Sequence, residues 1–198
     1  MPQRFTARAL TPVLALIATL STASAAETDI TIGMQLEPPH LDPTSAAAGA
    51  IDNVVYSNIF EGLTRFMGDG SVVPGLAKSW DISDDGLSYT FHLQGDVRFH
   101  DGSAMDAADV KFSLDRARAE DSTNAQKALF TGIADVAVID PLTVVLTLEA
   151  PNGNLLFNLA WGDAVIVASE TIETIKSNPV GTGAFRFVKA KAVLMATG

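Results

Sequence analysis

The stretch Phe60–Ala117, FEGLTRFMGDGSVVPGLAKSWDISDDGLSYTFHLQGDVRFHDGSAMDAADVKFSLDRA, decides the fold of this chain. Gly68-Asp69-Gly70, Asp84-Asp85-Gly86 and Asp101-Gly102 punctuate it as turns, because glycine reaches positive φ freely and aspartate tolerates it. Short alternating runs lie between the turns. Tyr89, Phe91 and Leu93 fall on one face of a strand, with Thr90 and His92 on the other. Asp106-Ala107-Ala108-Asp109 reads as an N-cap followed by an acidic first turn. Val110, Leu114 and Ala117 follow at helical spacing. The stretch is therefore a β-meander that hands over to an amphipathic helix, and none of it has the look of an active site.

Upstream, Ile30, Ile32 and Met34 alternate with Thr31, Gly33 and Gln35, the pattern of a strand. Three prolines in Glu37–Pro43 end it by fixing φ and removing donors. Ile51, Val54, Val55, Ile59 and Leu63 then form a helical stripe, which Gly62 is expected to close. Downstream, Glu120–Gln126 is a polar loop. Ile133–Ile139 and Thr143–Leu148 are strands of a hairpin turning at Asp140-Pro141. Leu155, Leu156, Leu159 and Ala160 predict one or two helical turns, and Ala164–Ala168 a short apolar strand. Ser169 is placed to cap a last short helix, with Glu170 and Glu173 in its first turns.

The chain has 198 residues, 47% apolar and 18% charged, which suits a globular domain. Its first segment reads as a secretory signal peptide over residues 1–26. Arg4 and Arg8 form the basic region, Ala9–Leu20 is an apolar run too short for a bilayer span, and Ala23-Ser24-Ala25 or Ser24-Ala25-Ala26 is the cleavage site. What remains is long enough for one core. Cysteine is absent, so there is neither a disulfide nor a thiolate metal site, although the compartment would permit the former. The net charge is −10, and cleavage removes two arginines and no acid. This balance excludes a basic stripe for nucleic acid and a polybasic membrane patch; it reports solubility rather than a cationic substrate.

The residues that carry chemistry elsewhere read blandly here. His92 points away from the Tyr89-Phe91-Leu93 face and lacks companion ligands at metal-site spacing. His100-Asp101-Gly102 reads as a turn with local hydrogen bonding. Asp106 and Asp109, three apart at a helix start, serve as caps rather than as a carboxylate pair. Gly181-Thr182-Gly183 lacks the Lys-Ser/Thr of a phosphate loop and is a backbone turn. Trp80 and Trp161 have rings able to stack on a ligand, and Trp80 is expected in the core. There is no Gly-x-Ser-x-Gly elbow. No catalytic residue, metal site or cofactor is expected.

The words Glu61-Gly62-Leu63, Val73–Trp80, Asp85-Gly86-Leu87, Tyr89–Leu93, Val97–Gly102 and Ala108–Ser113, in this order and spacing, resemble the signature of the family 5 extracytoplasmic solute-binding proteins of peptide, nickel and related ABC importers. Leu41-Asp42-Pro43 resembles the family's motif after its first strand, and Asn178–Phe187 its second signature, where the chain crosses back to its first lobe. The similarity runs from about Ile30 to Val188; Lys189–Gly198 matches nothing. The resemblance implies a mixed α/β, periplasmic binding protein-like class II fold. It implies that residues 27–44 and 178–198 are pieces of the first lobe, and that 45–177 is an inserted, β-meander-rich subdomain. The second lobe is absent, so the chain looks truncated, whether by a frameshift, an early stop or an engineered boundary.

The same resemblance implies non-covalent capture of a small peptide or related solute by lobe closure, and delivery to the membrane subunits of an ABC importer. It implies a monomer, free in the periplasm because no lipid-bearing cysteine follows the signal, with no chemistry on the ligand and no membrane insertion after cleavage. His40, in the proline-rich loop, and Ala46, Ala47, Ala48 and Gly49, in the loop Thr44–Ala50, are the ligand-binding candidates near the family's cleft. Small residues there would act through backbone groups and shape, and a plain helix N-terminus is an equal alternative. The ligand-gripping charges of peptide-binding members come largely from the missing part. Whether the ligand is a peptide, a nickel chelate, haem or a sugar is not encoded in these motifs. Two readings of other classes stand beside this one: a small secreted protein-interaction module, and a secreted hydrolase, which lacks a recognisable nucleophile.

Overall fold

The computed structural model describes residues 30–45 and 48–189. Residues 1–29, which include the signal peptide expected over 1–26, Ala46, Ala47 and the tail from Ala190 lie outside the described residues. The chain divides after Met34. Of the first unit only residues 30–34 are described, and the strand expected there is not formed. Ile30 and Ile32 are 79% and 72% exposed, and no ladder involves them among the described residues. Alternation makes a strand only when a neighbour supplies its hydrogen bonds.

The unit that begins at Gln35 is mixed α/β. Its centre is an antiparallel sheet of β3 (Ala77–Ile82), β4 (Ser88–Leu93), β5 (Ile133–Asp140) and β6 (Thr143–Leu148), in the order β3-β4-β6-β5. A separate ribbon pairs β1 (Thr64–Phe66) with β2 (Val72–Pro74). The expected period of two is visible in the burial: Tyr89, Phe91 and Leu93 of β4 face inward, as do Val144, Leu146 and Leu148 of β6. Phe91 lies opposite Trp80 on one side and Val144 on the other. The turns form where the glycines predict them, with Gly70, Gly86 and Gly102 at φ of 84°, 69° and 94°.

The helix α2 (Ala107–Arg118) lies against β5 and β6. Its start is a reciprocal cap. The Asp106 carboxylate accepts the Ala108 N–H at 2.7 Å, and Asp109 Oδ2 accepts the Asp106 N–H at 3.0 Å. Val110, Leu114 and Ala117 are buried, as their spacing required. The polar side of the helix grips the outer strand: Lys111 Nζ donates to the Val136 carbonyl, and Arg118 Nη1 to those of Ile133 and Ala134. These cations cap part of an edge that would otherwise be open to pairing with another chain.

A second apolar cluster joins α1 (Gly49–Val55) to Ile59, Phe60, Val165, Val167 and Ile175. Here three expectations are corrected. The stripe Ile51-Val55 is buried, but α1 stops at Val55 rather than at Gly62, because Ser57 enters positive φ and the Ile59 and Phe60 N–H groups both turn back to the Val55 carbonyl. Ala164–Ala168 is buried but is not a strand: Ala164 ends a 3₁₀ turn, and the one bridge, Gly62 with Val165, is supplemented by the Ile166 N–H donating to Glu61 O, and by Ser113 Oγ accepting the Val167 N–H at 2.9 Å. Ser169 caps nothing; it opens a 3₁₀ turn, Ser169–Thr174, without a side-chain cap bond.

The segment around Asn178–Phe187 has no regular structure yet is firmly placed. Gly183 N–H donates to Ile59 O, and Phe185 N–H to Asn58 O, each at 2.9 Å. Thr182 Oγ1 donates to Glu61 Oε2 at 2.9 Å. A Cβ on Gly181 would stand 2.0 Å from Ile59 O, and one on Gly183 2.4 Å from Asn58 O, so the two backbones touch only because both positions are glycine. Replacing Asp106 by Ala should lower stability by about 1 kcal/mol. Gly181→Ala should cost more, about 2–4 kcal/mol through backbone displacement. Thermal unfolding of the two variants beside the wild type checks the ranking.

Candidate functional site

The loop from Gln35 to Thr44 carries a buried carboxylate with several partners. Asp42 is fully buried, and its carboxylate accepts Thr44 N–H at 2.8 Å, Thr44 Oγ1–H at 2.6 Å and Arg116 Nη2–H at 3.3 Å. Arg116 Nη1 donates to Thr44 Oγ1 as well. Arg116 comes from the last turn of α2, where a cation also complements the helix dipole. A buried carboxylate persists only with partners of this kind. The network ties the approach to the loop Thr44–Ala50 onto α2, and it leaves a groove of 400 Å³ between Asp42, Phe112, Arg116, Glu173 and Lys176.

The proposed contact residues occupy this neighbourhood unevenly. His40 is half-buried and turns inward, its Nδ1 accepting the Asp42 N–H at 3.2 Å. Ala48 is the N-cap of α1, with no side-chain cap bond, and Gly49 opens onto free space, with nothing within 4 Å of where a Cβ would stand. Ala46 and Ala47 lie outside the described residues. His92 is at the surface, 2.9 Å from Asp81 Oδ2. His100 does more than close a local turn. Asp101 and Ser103 make the turn, while His100 reaches 83 residues along the chain, its Nε2 standing 2.8 Å from Gly183 O and its backbone N–H donating to Gly181 O. Trp80 is half-buried against the core and Phe91. Trp161 instead joins Tyr56, Phe66 and Phe157 in a surface aromatic cluster with centroid spacings of 5.8–6.5 Å. The three histidines have separate partners, and no group of three or more metal-ligating side chains converges among the described residues. What the arrangement offers is shape, backbone groups and aromatic surface, the means of non-covalent binding.

Sequence reasoning missed a second acidic site. Asp163 is 7% exposed, and its own backbone N–H is the sole hydrogen bond recorded to its carboxylate among the described residues. Burial, followed by the negative charge of Asp52, pushes its carboxyl up to about 6. Burial also raises Asp52. The Asp52 carboxylate lies against Gly162, with Oδ1 2.8 Å from where a Cβ would be, so a larger residue there would drive it away. The sequence signal was faint: one acid at the centre of an otherwise apolar run, Leu159–Ala168.

Comparison with known proteins fits this geometry. Residues 71–195 match the family model described as bacterial extracellular solute-binding proteins, family 5, middle region. The chain belongs to this family. It is 40% identical over 152 residues to a glutathione-binding protein, GsiB, of Pectobacterium atrosepticum, covering 75% of this chain and 29% of the relative. Among solved structures, it is similar to NikZ of Campylobacter jejuni in complex with Ni(L-His), with 34% identity, a TM-score of 0.70 and coverage of 79% and 32%. It is similar also to the periplasmic binding protein DppA of Helicobacter pylori in complex with the peptide STSA, with 28% identity, a TM-score of 0.69 and coverage of 77% and 35%. The chain thus spans about a third of the length of these relatives. No helix among the described residues is long and apolar enough to cross a membrane.

Two outcomes follow for the buried acids. Arg116→Leu strands Asp42 without its cation and should cost about 3 kcal/mol, part of it recovered in the double variant Asp42→Asn/Arg116→Leu. Asp163 behaves oppositely. Its raised folded value means that the native state holds a proton the unfolded chain releases, so stability falls as pH rises from about 4 to about 6. Asp163→Asn should therefore raise the denaturation midpoint above wild type near neutrality, and the gain should vanish toward pH ~4. Denaturant titrations across that range check both.

Proposed function

We propose that this chain is part of an extracytoplasmic solute-binding component of an ABC importer, capturing small peptides or related peptide-like solutes without chemical change. The observation that carries the reading is the family match over residues 71–195. The named ligands of the similar proteins, glutathione and the peptide STSA, favour a peptide-like solute over the alternatives. Residues 27–44 and 178–198 belong to the first lobe and 45–177 to an inserted subdomain; the firm seating of Gly181–Phe185 on Asn58–Glu61 supports a crossing point that moves with the subdomain. His40 and the loop residues Ala46, Ala47, Ala48 and Gly49 are the ligand contacts in this reading, and open space beside Gly49 supports backbone access there. The protein acts in the periplasm as a monomer after loss of residues 1–26, and its partners are the solute and the importer's membrane subunits.

The reading we propose includes impaired binding by these 198 residues, which span about a third of their relatives' length. Calorimetric titration of the 198-residue chain with dipeptides and glutathione should show no saturable heat. A submicromolar isotherm would contradict the impairment and leave the ligand class supported. The exposed aromatic group Phe66, Phe157 and Trp161 is what favours a second reading, a secreted interaction module. Crosslinking in the periplasm separates the two: recovery of importer membrane subunits supports the first, and exclusively unrelated partners the second.

A further inference from the structure

His100 holds the crossing segment through three of its atoms. Its backbone N–H donates to Gly181 O at 2.9 Å, its Nε2 stands 2.8 Å from Gly183 O, and its Nδ1 faces the Gly181 N–H at 3.4 Å. A carbonyl oxygen only accepts and an amide N–H only donates. The ring must therefore carry its proton on Nε2 and present a bare lone pair at Nδ1. That is the neutral imidazole in one defined tautomer. A second proton has one place to go, and there it would set an N–H against the Gly181 N–H. The backbone has no room to turn aside. A Cβ on Gly181 would stand 2.0 Å from Ile59 O, one on Gly183 2.4 Å from Asn58 O, and the Gly183 N–H is committed to Ile59 O.

We propose that neutral His100 is a latch on the crossing segment Gly181–Phe185, and that protonation at Nδ1 opens it. Among the described residues the ring bonds to Gly181 and Gly183 alone. The charges around it favour release. On its own turn, hydrogen bonds from Ser103 Oγ and N–H hold the Asp101 carboxyl below its usual range. Asp101 thus stays ionised in mild acid and draws an imidazolium toward the turn and away from the glycines. Arg98 is occupied by Gly102 O, so it offers the ring no competing bond. Across the contact, Glu61 accepts from Thr182 Oγ1, and Arg186 is exposed. Beyond the turn, a groove of 180 Å³ adds the acids Asp106, Asp109 and Glu170. The latch belongs to the chain's own packing and stands whether or not the proposed solute capture is correct.

Hydrogen exchange and nitrogen NMR of the full chain test it. Relative to the amides of β4 and β6, those of Gly181, Gly183 and Phe185 should open about tenfold more often near pH 5 than near pH 7.5, after correction for intrinsic rates. Near pH 7.5 the His100 ring should carry its proton on Nε2. His100→Gln, whose amide still donates to Gly183 O, should lose the pH dependence, whereas Glu61→Gln and His92→Gln should keep it. Asp163 acts with the opposite sign, since loss of its proton weakens the fold as pH rises. No dependence in the wild type, a rise shared equally by β4 and β6, or a proton on Nδ1 near pH 7.5 would overturn the proposal. So would a dependence that survives in His100→Gln or disappears in Glu61→Gln. Should His100→Gln not fold, the wild-type exchange and the tautomer still decide.

Discussion

Among the described glycines, the tightest fit is between two backbones. Gly181 and Gly183 lie directly on Ile59 and Asn58, at a separation that no side chain permits. Residues 58–62 are thereby held from two sides, because Gly62 also presses toward Leu159 O, 2.7 Å from where its Cβ would stand. Glu61 serves both contacts, its carbonyl accepting from Ile166 N–H and its carboxylate from Thr182 Oγ1–H. His100, from the far side of the sheet's hairpin, fixes the same crossing segment through Gly181 and Gly183. The buried segment Ala164–Ala168, the short helix α1 and the late part of the chain are arranged around this contact.

The charges divide into two kinds with opposite consequences. The Asp42–Thr44–Arg116 network is compensated, so its removal piece by piece is costly, and it determines where the proline-rich loop lies on α2. Asp163 is uncompensated, its charge opposed by burial and then by that of Asp52. Such groups weaken a fold and are found where something other than stability is served.

Most of the sheet was legible because its physics is local. Alternation at Tyr89-Phe91-Leu93, glycine turns at Gly70, Gly86 and Gly102, and the Asp106 cap each depend on a few neighbouring residues. The misreadings came where distant parts of the chain decide. Ile30–Met34 has the pattern of a strand and no neighbour to pair with among the described residues. Ile59 and Leu63 continue the spacing of α1 but are buried in two different apolar clusters after the helix has ended at Val55. Gly62 was read as a helix terminator and is instead a contact point. Of the candidate site, the small residues of the loop were visible, but the pairing of Asp42 with Arg116, 74 residues apart, was not, and no short-range pattern announces Asp163 beside Asp52.

The seating of the crossing segment can be measured by native-state hydrogen exchange at the Gly183 and Phe185 amides. The account predicts that both exchange as slowly as the amides of β4 and β6, through the same global opening, although Phe185 has an exposed ring. Exchange at the rate of a fraying loop would show that the segment is not fastened to Asn58 and Ile59, and would contradict this account.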